Sequence, residues 1–260
     1  MDRPRRELLD HVAWRDNLCL NLVRQTKAAH WMHALVANKP TPAVFLEIKD
    51  GSSIFPLYLY AQSGSRSKMG LFGDDGLESK RENFTPAFRA FVDEKYGQHF
   101  SPDTILAYTY AVLYSPTYRE RYLSFLKGDF PRIPFVDDVN TFENLARCGD
   151  ALIQLHLLED IPTYLRVAIT KGTDLIEKAI YRSQDHRLYV NSAQYFSPVV
   201  ESVWNFQMGG YRVLDSYLKA REGRTLTLDD VESVINVTQV LHSTIDRMQE
   251  IDRLFANYLV

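Results

Sequence analysis

The side chains with the types and spacing for chemistry fall into a few groups. Glu47, Ile48 and Lys49 close an apolar run. A Glu-x-Lys on a strand, with an upstream acid such as Asp16, is how many metal-dependent nucleases arrange magnesium ligands and a lysine beside the attacking water. A match this short arises easily by chance, and the plain reading is a charge pair at a strand end. His156 near Glu159 and Asp160 has the residue types of a metal site, but no second ligand pair at metal spacing accompanies it. It reads as a helix-end histidine, and His30 and His33 are discounted in the same way. The last group is rich in amides and guanidiniums. Gln25, Asn191 and Gln194 carry amides that can meet N6 and N7 of adenine in two bonds, and Arg187 can do the same with O6 and N7 of guanine.

Some chemistry is excluded by missing motifs. No two prolines are adjacent, so the Asn/Asp-Pro-Pro-aromatic motif of an amine methyltransferase is not present; there is no GxG cofactor loop, and no GK precedes Ser or Thr. The chain is therefore expected to hold no cofactor of its own and to do no methylation or translocation. With 260 residues and 45% hydrophobic content it can bury a full core. No apolar run approaches the length of a membrane span, and the charged start MDRPRRELLD has no apolar segment after it. A cytoplasmic protein is expected. Cys19 and Cys148 lack CxxC spacing and read as small buried hydrophobes. A net charge of -3 does not suit an indiscriminate nucleic-acid binder, so any positive charge facing a polyanion must be local.

The elements that must position these groups read as an α/β (α+β) fold, β-rich in front and helical behind. After a short helix bearing Leu8, Leu9 and Val12, strands are expected at 17–25, 32–37, 43–48 and 53–60. Residues 61–83 carry four glycines and few large apolar side chains and read as a mobile loop. Thr85-Pro86, Ser101-Pro102 and Ser115-Pro116 each pair an N-cap with a proline at the first helical position. These predict a helix that buries Phe88, Phe91 and Val92 and ends at Gly97. A central helix from Pro102 follows, then one whose stripe is Tyr118, Tyr122, Phe125 and Leu126, with Arg119, Glu120 and Arg121 outward and Gly128 as a left-handed cap. Pro131 and Pro134 force an extended segment. Asn140 is expected to cap a helix to about Glu159. A hairpin joins 174–181 to 186–191 through Ser-Gln-Asp, and Gly209-Gly210 precedes a short helix over 211–221. Thr227 starts a last helix of about 30 residues whose stripe runs from Val234 to Tyr258.

The stretch SPDTILAYTYAVLYSPTYRERYLSFLKGDFPRIPF at 101–135 resembles the C-terminal target-recognition domain of type ISP restriction-modification enzymes. So do DRPRRELLDH, NLVRQ, IFPLYLY, YVNSAQYF, VWNFQMGGYRVLDSYLKAREGRTLTLDDVE and TIDRMQEID, in the usual order of that domain. The resemblance spans nearly the whole chain. It implies a single recognition domain over 1–260, divided into a connector and β-rich part (1–60), the loop (61–83), a helical part (84–160), a hairpin part (161–200) and C-terminal helices (201–260). It further implies that the chain reads double-stranded DNA for an adenine methyltransferase and nuclease carried elsewhere, which would use S-adenosylmethionine, ATP and magnesium. From residue type and loop position, Arg24, Lys27, Arg119 and Arg121 are expected on phosphates, and Gln25, Lys49, Arg187, Asn191 and Gln194 on base edges. Family members tend to show an Asn-Lys pair where this chain has Glu47 to Asp50, and a Lys where it has Ser192, which implies a different recognised sequence. A protein-interaction module using the last helix, and a magnesium-dependent nuclease, stay open beside this reading.

Overall fold

A computed structural model of the protein describes residues 6–47, 51–61, 80–163, 165–255 and 258. Lys49 and most of the expected loop at 61–83 lie outside the described residues. The short helix α1 (Arg6–Val12) leads into β1 (Cys19–Leu22), the centre of a three-stranded antiparallel sheet with β2 (Ala34–Ala37) and β3 (Ser53–Pro56) at its sides. Asn21 stands in β1 at 0% exposure. It is tolerated because its amide donates to the Leu35 carbonyl and accepts from Thr41 Oγ1 at 2.6 Å. β4 (Tyr58–Tyr60) pairs with β5 (Lys80–Glu82), so the end of the expected loop is a strand. The strand expected at 43–48 is not formed: residues 43–46 make a turn in which Ser52 Oγ accepts from the Leu46 amide. A serine that offers the backbone a local acceptor competes with a ladder, and here it wins.

The three Ser/Thr-Pro signals are all used. α2 (Pro86–Tyr96) is capped by Thr85 and ends at Gly97 with φ 65°. α3 (Pro102–Tyr114) is capped by Ser101, and α4 (Pro116–Arg121) by Ser115. The chain then bends at Tyr122 into α5 (Leu123–Leu126), whose C-cap is Lys127 in a right-handed conformation, so Gly128 is not the left-handed cap expected. α6 (Val139–His156) is capped by Asp138, which accepts from Thr141 N at 2.8 Å; Asn140 already lies inside the helix. Phe91 and Phe125, assigned to buried stripes, are 47% and 75% exposed.

α3 is central, as its all-round apolar character implies, and it lies so close on α6 that Gly149 meets the Ala107 carbonyl. Tyr108 stacks on Phe135 and Phe142 at 5.0 and 4.5 Å. The proline-bearing segment after α5 cannot form a full ladder, and tyrosine hydroxyls answer its carbonyls instead. Tyr118 donates to Arg132 O, Tyr108 to Pro134 O and Tyr96 to Val136 O, at 2.7 to 2.8 Å.

His156 sits at the end of α6 with Nδ1 2.6 Å from the Tyr110 hydroxyl and Nε2 3.0 Å from Thr244 Oγ1. Burial, helped by the nearby Arg119 charge, pushes its imidazole down to about 3, so the ring is neutral at pH 7. An unfolded chain takes up that proton near pH 6.5. The stability His156 contributes is therefore complete above about pH 6.5 and is lost as the pH falls towards 3. Urea unfolding at pH 7.5 and pH 5 should show a smaller pH dependence for His156→Gln than for the parent chain. Identical pH dependence in the two would remove this assignment.

The back of the molecule is a second hydrophobic cluster. Its four-stranded sheet runs β6 (Ala168–Ile169), β9 (Tyr195–Ser197), β8 (Arg187–Tyr189), β7 (Ile180–Arg182). Leu188, Phe196 and Val190, each at 0% exposure, face inward onto Val203, Trp204 and Leu214. The expected hairpin exists, shortened to β7 and β8 around a turn over 183–186. α7 (Glu201–Trp204) follows, then the small hairpin β10 (Gln207–Met208) and β11 (Tyr211–Arg212), and α8 (Val213–Lys219).

α9 (Leu228–Phe255) has 28 residues and is about 42 Å long. Thr227 and Asp230 cap each other at its start: Thr227 Oγ1 accepts from Asp230 N, and Asp230 Oδ2 from Thr227 N, both at 3.1 Å. The Arg221 guanidinium then holds the Asp230 carboxyl well below the usual carboxylate range. Val240, Ile251 and Phe255 enter the front cluster, and Val234 and Leu241 the rear one. Asp252 also accepts from Thr117 N and Oγ1, tying α9 to the start of α4. Most of the apolar stripe of α9 among the described residues is thus packed within its own chain.

Candidate nucleic-acid interface

The residues proposed from sequence divide into an exposed set and an inward set. Arg24, Gln25 and Lys27 lie exposed on the turn after β1. That turn is clamped to the chain after α5: Thr26 N donates to Lys127 O, Gln25 Nε2 to Gly128 O, and Arg24 Nε to Asp129 Oδ1 at 3.0 Å. The Phe130 amide and the Arg24 guanidinium hold the Asp129 carboxyl below its ordinary range, with the Arg132 charge also near. Phe55 and Phe130 meet edge to face at 5.3 Å beside this turn. Arg121 is exposed at the end of α4, its guanidinium 6.0 Å from the Tyr122 ring centroid. Exposed cations thus lie on the turn after β1 and at the end of α4, each beside aromatic rings.

Arg119 is not part of it. The side chain is 6% exposed, its Nε donates to the Leu113 carbonyl, and its Cζ lies 4.4 Å from the Tyr114 ring centroid. It closes the C-terminal end of α3, where a cation is favoured by the orphan carbonyls. Gln194 is likewise structural. At 1% exposure it donates to Thr170 O, accepts from Asp174 N and holds Asp174 at φ 57°. Asn191 is half-buried and its amide is engaged: Oδ1 accepts from Ala193 N and Gln194 N, and Nδ2 donates to Leu175 O at 2.9 Å. It shapes the β8–β9 turn, and its removal would loosen that turn before it altered any base contact.

Arg187 lies in the expected hairpin, on the open face of the rear sheet. The registers Arg182↔Arg187 and Tyr189↔Tyr195 put all four side chains on that face. The guanidinium of Arg182 lies 4.3 Å from the Tyr189 ring centroid and that of Arg187 4.3 Å from the Tyr195 centroid. Asp185 approaches Arg187 at 3.6 Å from the hairpin turn. Two like charges directly opposite one another in a ladder destabilise it. Each is offset here by a ring and, for Arg187, by one acid. Arg182 belongs to the same expected hairpin, whose side chains suit phosphates or base edges, but was not among the residues assigned to base edges; the register of the folded hairpin sets it opposite Arg187.

Glu47, the acid of the nuclease pattern, accepts from Thr26 Oγ1 at 3.1 Å and lies 3.6 Å from His33 Nε2. It does so from an irregular segment and not from a strand. Among the described residues no group of three or more His, Cys, Asp or Glu side chains is placed to hold a metal ion, and no helix is long and apolar enough to cross a membrane. Both cysteines are free and buried, as the sequence implies.

The chain is thus a mixed α+β domain with small antiparallel sheets, one of which carries two stacked guanidiniums on an open face. The comparisons with known proteins make the class specific. The family model of the type ISP C-terminal specificity domain matches residues 1–250, and the chain belongs to that family. Among solved structures, the ATP-dependent type ISP restriction-modification enzyme LlaBIII bound to DNA aligns at 17% identity and a TM-score of 0.68 over 97% of this chain. The DrdV–DNA complex aligns at 20% and 0.69 over 95%. A nuclease-deletion mutant of the type ISP enzyme LlaGI, in complex with a DNA substrate mimic, aligns at 16% and 0.62 over 94%. The chain spans only 17%, 25% and 18% of those three proteins. Among curated proteins nothing matches.

Proposed function

We propose that this chain is the address-reading part of a larger cytoplasmic restriction-modification polypeptide and recognises a short sequence in double-stranded DNA. The observation that carries the reading is the open face of the rear sheet, where Arg182 and Arg187 stand opposed on tyrosine rings. Side chains on a two-stranded ribbon fit a major groove, and a guanidinium there meets the O6 and N7 of guanine. The exposed Arg24, Lys27 and Arg121 serve the phosphates and set register without choosing sequence. Family membership, and structural neighbours that are themselves bound to DNA, support the same reading. Adenine methylation, cleavage and ATP use belong to parts beyond this chain, with S-adenosylmethionine, ATP and magnesium bound there. In this division of labour the chain itself is non-catalytic.

Selection from a pool of random duplexes tests the proposal. One short sequence should be enriched, and its affinity should fall steeply with salt, by about one power of the salt concentration for each phosphate neutralised. An even pool after selection, with the adjoining methyltransferase part restored, would overturn it.

A further inference from the structure

The open face of the rear sheet also carries Ile180, the first residue of β7. It pairs with Tyr189 of β8, which pairs in turn with Tyr195 of β9, so the three make one row across the sheet. Arg182 and Arg187 make the row beside it. The alternation along β7 fixes which way each residue points. Tyr181, between Ile180 and Arg182, turns inward and stacks on Trp204 with ring centroids 5.7 Å apart and 18° between the planes, and Ala179 also packs on the rear cluster. Ile180 and Arg182 therefore share the outer face.

The members of the apolar row are not equally open. The guanidiniums lie over the two tyrosine rings, each 4.3 Å from a centroid, and Tyr189 is only 8% exposed beneath its own. Ile180 is 49% exposed. It stands on the edge strand of the sheet, beyond which no further strand of the described residues pairs. The fold thus sets an aliphatic side chain two residues from a guanidinium, both facing outward.

In a major groove guanine is marked by its O6 and N7 acceptors, and thymine alone adds a C5-methyl. A guanidinium answers the first and an aliphatic chain the second. Burying one methyl changes an affinity by a factor of about four. Two residues along an antiparallel strand span about 6.8 Å, and base pairs rise about 3.4 Å. With the arginine's longer reach, the two targets fall within about three base pairs of each other.

We propose that Ile180 reads the C5-methyl of a thymine lying within about three base pairs of the position read by Arg182. This rests on the duplex reading above and adds one base to it.

Pools selected by the parent chain and by Ile180→Ala, compared position by position, begin the test. One thymine should lose its preference in the alanine pool. Replacing that thymine by uracil removes the methyl and keeps the pairing, and should weaken binding by the parent about fourfold. Ile180→Ala should bind the thymine and uracil duplexes alike, whereas Ile180→Val should keep most of the difference. Half-exposed, the side chain contributes little to the core, so both chains should melt close to the parent temperature. No thymine relaxed in the alanine pool, parent binding indifferent to uracil throughout the site, or an alanine chain as sensitive to uracil as the parent would each overturn the proposal while leaving the enriched sequence, and with it the duplex reading, in place. An even pool for the parent would overturn both.

Discussion

Replacing Arg187 by alanine should cost about 1 to 3 kcal/mol of discrimination at one base position, roughly 5- to 150-fold, while leaving the fold intact. The side chain sits on the open face of its sheet, and its neighbour Leu188 holds the inner face, so removing the guanidinium takes nothing from the core. Arg187→Lys is the informative companion. Lysine keeps the charge but loses the planar fork and the stack on Tyr195. If Arg187 reads a base, the lysine chain binds DNA with nearly the parent salt dependence and a relaxed preference. If Arg187 meets a phosphate, lysine restores binding, and alanine weakens it for every sequence while making the salt slope shallower by about one. Arg182→Ala should act in the same way at an adjacent position, because the two side chains share one ladder rung. Selected pools for the parent and the two alanine chains, compared position by position, decide it. Indistinguishable pools and affinities for all three would remove this face from the interface.

Gly149→Ala should destabilise the chain by about 3 kcal/mol or more, lowering the melting temperature by roughly 6 to 12 °C. Helix propensity alone argues the opposite, since alanine is better than glycine inside a helix by about 1 kcal/mol. Sterics decide the sign. A Cβ at Gly149 would lie 1.8 Å from the Ala107 carbonyl oxygen and 2.6 Å from its carbon, and neither is the end of a flexible side chain. α3 and α6 would have to separate by more than an ångström, and the stacking of Tyr108 on Phe142 at 4.5 Å spans that same interface. Gly210→Ala is the control, because nothing lies within 4 Å of a Cβ there. A Gly149→Ala chain melting at or above the parent temperature would show that the helices are not in backbone contact.

What could be read without the fold was whatever chemistry closes within a few residues. A serine or threonine oxygen accepting an amide three residues on, followed by proline at the first helical position, is complete in four residues, and all three such signals start helices here. The same holds for the helix end at Gly97 and the helix start at Thr227, and the long period of α9 survives because its length averages over local noise. Family resemblance was legible for a different reason, being spread over many segments at once. Periodicity names a face but not what the face meets. Phe91 and Phe125 lie at the margins of apolar stripes and stay largely exposed, Phe91 meeting Phe135 edge to face, while Arg119 and Gln194, polar by type, are covered by elements distant in sequence. The Asp252 contact to α4 closes across 135 residues, and the Gly149 contact joins two helices. Such contacts exist only once the chain is folded, because burial depends on all the elements that converge at a point. A two-residue period puts Arg187 and Tyr189 on one face of their strand, but the turn sets Arg182 opposite Arg187, and only the sheet's packing on the rear cluster decided which of its faces stays open.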